Sequence, residues 1–297
     1  MNILTHGFHR ACEYYWMGLF PEHTFLSFSN NILKWDANGM PMRGVPKNCQ
    51  RVTRIPGKVD FAVAHTTAGY NYFTARKIPT IRWYHTTRFS EDPKNETEAG
   101  VTVYYSHESK DSWGIGEKKF VAYHPIDMNI FNGYVGEKPR AVMCASMPLD
   151  WWGGVKGAAQ FRKMVTEYEV PYKLVGMNNE TPWPQCEPEF VLSEERMIEI
   201  FRSYRVYGNT APYIPRSPLE ALAVGMPVVS YLGDHTTLYE ELKDAVDWAK
   251  TDEDFKDRVM WYIENEPSQD VKRREAMEAF APEKVKRQWE MAFEAVR

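Results

Sequence analysis

Residues 210–230 read TAPYIPRSPLEALAVGMPVVS, and their punctuation fixes a local plan. Ser217-Pro218-Leu219-Glu220 has the form of a capping box, with Ser at the N-cap, Pro at the first helical position and Glu at the third. An Ala-rich run follows, Gly225 stands where a left-handed residue closes a helix, and Pro227 forbids continuation. The spacing predicts a short helix over 218–224 between strands at 204–207 and 226–230. Two readings of its start stand side by side. The residues begin and end a helix and nothing more, or the N–H groups and positive dipole end there hold a diphosphate. The second reading needs a helix that begins at the carboxyl edge of a parallel sheet, where open α/β proteins bind ligands.

Outward from this stretch, short β-rich runs alternate with helical ones. Strands are expected at 2–5, 24–28, 60–64, 80–84, 102–105 and 120–123, then at 140–145, 172–175 and 189–192. Their apolar runs lack a polar face, as in strands covered on both sides. Helical periodicity falls at 155–168 and 194–202, and a charge-interspersed helical region runs from about 252 to the end. Such alternation predicts an α/β fold with parallel sheets and crossover helices. The segment 129–139, NIFNGYVGEKP, is the candidate linker, so two Rossmann-like domains facing across a cleft are expected.

With 297 residues, 43% hydrophobic and 26% charged, the chain has enough apolar material for two cores, which excludes disorder. The net charge of −4 provides no global attraction to nucleic acid. No apolar run reaches the ~20 residues of a membrane span. The N-terminus lacks the basic start and long apolar run of a signal peptide. Cys12, Cys49, Cys144 and Cys186 are scattered without a C-x-x-C pair, which favours free thiols and a cytoplasmic location.

The pattern R-S-P-L-E-A-L-A-x-G-x-P-V-V at 216–229 resembles the donor-binding signature of GT-B-fold retaining glycosyltransferases of the family four type. Other segments match in order. MNILTHG at 1–7 resembles the opening strand and glycine loop, ending on Gly7. KIPTIRWYHTT at 77–87 resembles the strand that ends in the active-site histidine, here His85. FVAYHPIDMNIF at 120–131 resembles the run before the linker, and Lys156-Gly157 the family's K-G. YKLVG at 172–176, ending on Gly176, resembles the next nucleotide-edge strand, and 280–297 resembles the terminal helix.

The resemblance implies an acceptor domain over 1–130, a nucleotide-sugar donor domain over 139–279, and a helix over 280–297 that packs back on the first. It implies a hexosyl- or pentosyltransferase that retains anomeric configuration, uses no metal or cofactor, and releases a nucleoside diphosphate. Glu220 takes the place of the carboxylate that binds the ribose. Arg216, Ser217 and Leu219 fall in the loop and helix start that meet the diphosphate, and Lys156 takes the place of the lysine that neutralises it. His85 takes the position that orients the sugar and stabilises charge in the transition state. His65, in VAHTT, is its rival.

The departures lie at the sugar. Eight positions before Glu220, where the family has its first carboxylate, stands Pro212. Tyr213 and Pro215 replace the glycines after it, and Pro215 has no amide to donate. The arginine that ends the first strand of the second domain is replaced near Ser146. An altered donor follows, or lost activity.

Other motifs carry little. His6-x-x-His9 lacks further metal ligands, and Asp252-Glu253-Asp254 fits a helix start, where acids are favoured. Gly114-x-Gly116 lacks the third glycine of a dinucleotide fingerprint. Two alternatives stand beside the transferase: a sugar-nucleotide epimerase or hydrolase, and a non-catalytic nucleotide-sugar-binding protein. The acceptor is unidentified. It is a glycan, a small molecule or a lipid-linked group, with a nucleic acid as the minority reading through a basic rim of Arg82, Arg88, Lys118 and Lys119.

Overall fold

The computed structural model describes residues 1–7, 10–29, 45–85, 100–144, 157–176, 183–189, 193–265 and 271–297. The chain forms two compact units, one of Met1–Pro125 with Pro282–Arg297 and one of Ile126–Ala281.

The first unit is built on seven parallel strands: β1 (Asn2–His6), β2 (Thr24–Phe28), β3 (Cys49–Val52), β4 (Phe61–Ala64), β5 (Thr80–Tyr84), β6 (Val101–Tyr104) and β7 (Lys118–Val121). Their order is β3-β2-β1-β4-β5-β6-β7. Ile3 lies opposite Phe25 on one side and Phe61 on the other. The chain therefore winds outward in both directions from β1 and β4, which makes the carboxyl ends of these two strands a topological switch point. β4 and β5 are buried throughout, which is why FAVA and TIRWY show no polar face.

Helices α1 (Arg10–Gly18), α2 (Thr67–Thr74) and α3 (His107–Trp113) follow β1, β4 and β6. The Thr66 and Ser106 hydroxyls accept from the N–H groups of Gly69 and Ser109, both at 3.1 Å, and so start α2 and α3. The C-terminal helix, Pro282–Val296, completes this unit. Its buried residues Val285, Trp289, Ala292 and Phe293 fall at helical spacing on one face. Trp289 packs on Trp16 and Trp83, with centroids 5.0 and 4.7 Å away, and Phe293 packs on Phe20 and Phe61.

The second unit has six parallel strands: β8 (Lys138–Cys144), β9 (Tyr172–Val175), β10 (Cys186–Glu189), β11 (Tyr204–Asn209), β12 (Val228–Tyr231) and β13 (Asp247–Ala249). The order β10-β9-β8-β11-β12-β13 places its switch point between β8 and β11. Its helices are α4 (Ala158–Thr166), α5 (Glu194–Ser203), α6 (Arg216–Val224), α7 (Tyr239–Leu242), α8 (Asp252–Glu264) and α9 (Val271–Ala276). With these in place, the C-terminal helix is α10. A core of Phe161, Met164, Tyr172, Leu174, Val206, Phe255 and Val259 joins α4 and α8 to the sheet. Residues 129–139 belong to this unit, and the Val135 and Gly136 N–H groups both donate to the Arg202 carbonyl, at 2.8 and 2.9 Å.

Some element bounds differ from the sequence reading. Residues 190–192 of the strand expected at 189–192 lie outside the described residues, and an edge strand, β10, ends at Glu189, where Pro188 is tolerated because the strand lies at the edge. The helix expected over 218–224 begins two residues earlier, at Arg216.

Candidate functional site

Both switch points carry polar clusters. In the second, β11 ends at Asn209 and the chain loops into α6. Asn209 organises this loop: its Nδ2 lies within hydrogen-bond reach of the Ala211 carbonyl (3.2 Å), the Tyr213 carbonyl (2.9 Å) and Ser230 Oγ (2.8 Å). The Ile214 N–H donates to Thr237 Oγ1 at 3.0 Å. Gly157, with φ of 69°, fits tightly against this loop, since a Cβ there would lie 1.6 Å from the Thr210 carbonyl oxygen. Only glycine suits both the dihedral and the contact.

The capping box is corrected. Pro215, extended at φ −74° and ψ −174°, occupies the N-cap, and no side chain caps the helix. Ser217 is already helical, and its hydroxyl hydrogen-bonds the Tyr207 hydroxyl at 2.8 Å. The same Tyr207 oxygen accepts from the Cys144 N–H at 3.1 Å, which ties the ends of β8 and α6 together. Glu220 receives Arg216 Nε, from the first residue of the helix, at 2.8 Å. A buried guanidinium four residues away binds a carboxylate more strongly than a backbone amide does.

Arg216 and Ser217 place backbone N–H groups in the first turn, where α-helical pairing is missing, and Pro218 contributes none. Leu219 is fully buried, and its N–H falls within the helix's own i to i−4 pattern. Burial beside Glu220 raises the Glu194 carboxyl to about 7, against the opposing pull of Arg216. Burial also raises the Tyr213 hydroxyl to about 12. Gly176, at φ 130°, ends β9 and donates its N–H to the Glu189 carbonyl at 3.1 Å. Ser146 and Lys156 lie outside the described residues.

In the first unit, the switch point gathers histidines. His6 ends β1, His65 follows β4, and His85 follows β5. The His65 N–H donates to His6 Nε2 at 3.0 Å. Burial and the charge of Arg82 lower His6 to about 4, against the Gly7 carbonyl, so His6 is a neutral acceptor at neutral pH. Gly69 leaves room for that ring, because a Cβ there would meet His6 Nε2 at 2.3 Å. His65 Nδ1 and His85 Nε2 are 2.9 Å apart, and His65 Nε2 lies 3.0 Å from Thr5 Oγ1 and 3.4 Å from Glu13 Oε1. The structure thus joins the two rival histidines, His65 and His85. Glu13 and Thr5 escaped sequence reading because one acid on a short helix and one strand threonine carry no spacing signal.

Arg82 is buried, with its guanidinium directed at the Ala64 and Trp83 carbonyls and over the Tyr84 ring. It therefore forms no part of an exposed basic rim. Arg88 lies outside the described residues. Asp252 receives Lys163 and Tyr231, both at 2.8 Å, and Asp254 receives Arg258 at 2.6 Å, so the D-x-D acids serve α8 and its neighbours. Among the described residues, no group of three or more His, Cys, Asp or Glu side chains is placed to hold a metal ion. No helix among them is long and apolar enough to cross a membrane.

A cavity of about 520 Å³ lies elsewhere in the first unit, between residues 53–59 and α2. Arg54, Arg76 and Tyr72 line it, and none of the site residues anticipated from sequence does.

No family model matches the chain, and no curated protein matches it. Solved structures do. A glycosyltransferase involved in avilamycin A biosynthesis is similar at TM-score 0.61 and 15% identity, over 99% of this chain and 97% of that one. Sucrose-phosphate synthase from Thermosynechococcus elongatus is similar at TM-score 0.71 and 10% identity, over 99% and 98%. UDP-N-acetylglucosamine 2-epimerase from Rickettsia bellii is similar at TM-score 0.56 and 10% identity, over 99% and 97%. At these identities the likeness establishes the fold, two Rossmann-like parallel-sheet domains of the GT-B type.

Proposed function

We propose that this protein is a glycosyltransferase that moves a hexosyl or pentosyl group from a nucleotide-activated donor to an acceptor hydroxyl, without a metal and with retention. The observation that carries the reading is the buried Arg216–Glu220 pair in the first turns of α6, beyond the carboxyl end of β11 and beside the switch point of the second sheet. In this reading Glu220 accepts from the ribose hydroxyls. The Arg216 and Ser217 amides meet the diphosphate, together with Lys156 from the K-G pair. Gly7, Ser146, Gly176, Tyr213 and Leu219 complete the donor contacts implied by the family resemblance.

Chemically, the bond from the sugar's anomeric carbon to the diphosphate breaks and its electron pair leaves on phosphate. The acceptor oxygen bonds to the same carbon, and with retention the departing phosphate receives the acceptor's proton. His85 positions the sugar and stabilises the positive charge that develops on its ring. A cytoplasmic location belongs to this reading and is supported by four cysteines that form no disulfide.

Two other readings each have an observation in their favour. The fold shared with the 2-epimerase favours a sugar-nucleotide epimerase or hydrolase. Pro212, in place of the first carboxylate, favours a protein that binds a nucleotide sugar without turning it over. Incubation with a panel of nucleotide sugars separates the three. Transfer releases nucleoside diphosphate in step with glycosylated acceptor, hydrolysis releases it with free sugar, and epimerisation yields a new sugar nucleotide. A binding protein shows saturable affinity alone. Failure to bind any nucleotide sugar overturns the proposal.

A further inference from the structure

The cavity of the first unit lies in a stretch whose charge is opposite to that of the whole chain. Residues 45–85 hold seven Lys and Arg against one acid, Asp60, in a protein of net charge −4. Asp60 is engaged, since its Oδ2 accepts the Asn2 N–H at 2.6 Å. We propose that this cavity binds a small phosphate monoester, with Arg54 and Arg76 on the phosphate and Tyr72 against the organic group.

Local structure explains the two walls. The connection from β3 to β4, TRIPGKV at 53–59, forms no helix or strand. It is pinned at Ile55 and Val59, which pack on the core that holds Leu26, Phe28 and Phe73. On the other wall, α2 closes in a Schellman arrangement. The Lys77 N–H donates to the Thr74 carbonyl at 2.8 Å and the Ile78 N–H to the Phe73 carbonyl at 3.3 Å, with Lys77 left-handed at φ 60°. This turn sends Ile78 into the same core and leaves Arg76 exposed at the helix end. The space between the walls is about 520 Å³, within the range of about 300–1,000 Å³ that small-ligand sites occupy.

The two arginines set the ligand's charge. Both are exposed, and among the described residues neither is paired with a carboxylate. Arg76 Nη1 donates to the Tyr72 carbonyl at 2.9 Å, and its guanidinium lies 3.7 Å over the Tyr72 ring. A guanidinium has five N–H donors, so this helix-end contact leaves donors for a ligand. Closing the helix accounts for Arg76 alone and gives no role to Arg54 on the opposite wall. Arginine stays charged at every working pH, and a cleft lined by one sign of charge draws in the other.

The choice among anions follows from counting oxygens. One guanidinium satisfies both oxygens of a carboxylate in a fork, whereas a phosphate monoester brings three oxygens and close to two negative charges. Two guanidiniums, with the Thr53 hydroxyl beside them, match the second. Tyr72 stacks on Phe28 at 5.4 Å and 26°, and with Pro56 these rings supply an apolar surface for the organic group. No residue of either switch-point cluster lines the cavity, so the proposal stands apart from sugar transfer.

Phenyl phosphate, which has no nucleoside, is the probe. Amide chemical-shift mapping on the full chain should place the largest shifts on residues 53–59 and 72–78. Arg54→Gln and Arg76→Gln should each weaken Kd by roughly tenfold or more, with the melting temperature unmoved because both side chains are exposed. Tyr72→Leu should weaken phenyl phosphate and leave inorganic phosphate unchanged. Shifts clustered outside these two segments overturn the proposal, as does a Kd unmoved in both arginine variants. Inorganic phosphate or benzoate bound as tightly as phenyl phosphate overturns the monoester assignment, and so does a single-stranded oligonucleotide that binds there more tightly. Mapping of the parent protein decides the location without any variant. Failure here leaves sugar transfer standing, and failure of the nucleotide-sugar assay leaves this site standing.

Discussion

Arg216 Nε donates to Glu220 Oε1 at 2.8 Å, and both side chains are only 6% exposed. The pair links the first two turns of α6 beside the switch point of the second sheet. Its energetics differ from those of a capping box. Removing one partner takes away an ion pair of the other inside the protein, whereas removing a cap costs about 1 kcal/mol.

Glu220→Ala is therefore expected to destabilise the second unit by about 3–5 kcal/mol. Pairing it with Arg216→Met should restore part of that loss, because the buried guanidinium that lost its ion pair is removed as well. Denaturant titration of the two single variants and the double variant measures the coupling. Additive losses would show that the pair is not a unit.

Gly157→Ala combines a positive φ with a Cβ placed 1.6 Å from the Thr210 carbonyl oxygen. A loss of at least about 2 kcal/mol is expected, since neither the dihedral nor the backbone contact can relax cheaply. Gly233→Ala serves as the control. Nothing lies within 4 Å of its Cβ position, so a change within about 0.5 kcal/mol is expected. Thermal melts of the two variants should separate clearly.

The two units should respond to pH with opposite signs. His6 is lowered from 6.5 to about 4, so between these values the unfolded chain binds the proton and the folded one does not. Its contribution is fully present above pH 6.5 and is lost as pH falls towards 4, on the order of 3 kcal/mol for so buried a ring. Glu194 is raised from 4.5 to about 7, so the folded state holds the proton more tightly, and its contribution is lost as pH rises through that window. Hydrogen exchange of β1 amides against α5 amides between pH 4.5 and 6.5 reads the two trends separately. His6→Gln should flatten the first, and a parallel response of both regions would contradict the assignment.

Much of the fold was legible because most strands are buried on both faces. TFLSF, TIRWY and YKLV each present a run with no polar side, and each is a strand at the expected bounds. β3 was not legible. Cys49-Gln50-Arg51-Val52 is an edge strand with Gln50 and Arg51 exposed, so no apolar pattern marks it. β13 is only three residues long.

At the site, Gly225 behaves as its position suggested, left-handed at φ 103° at the end of α6. Ser217 does not, because a tertiary partner, Tyr207, captures the hydroxyl that a local rule assigns to the backbone. The link from Glu13 through His65 to His85 has no sequence signature, since it exists only once β1, β4 and β5 are ordered side by side and α1 lies over them.

On the proposed function, a nucleotide sugar's diphosphate binds at the start of α6. Amide chemical-shift mapping during titration of the full chain with nucleoside diphosphates tests it most directly. The largest shifts are expected on Arg216, Ser217 and the loop from Thr210 to Ile214. Glu220→Gln should weaken Kd by roughly tenfold or more, through loss of a charged hydrogen bond of about 1.5–3 kcal/mol. Shifts clustered instead around Arg54, Tyr72 and Arg76, or a Kd unchanged by Glu220→Gln, would contradict it.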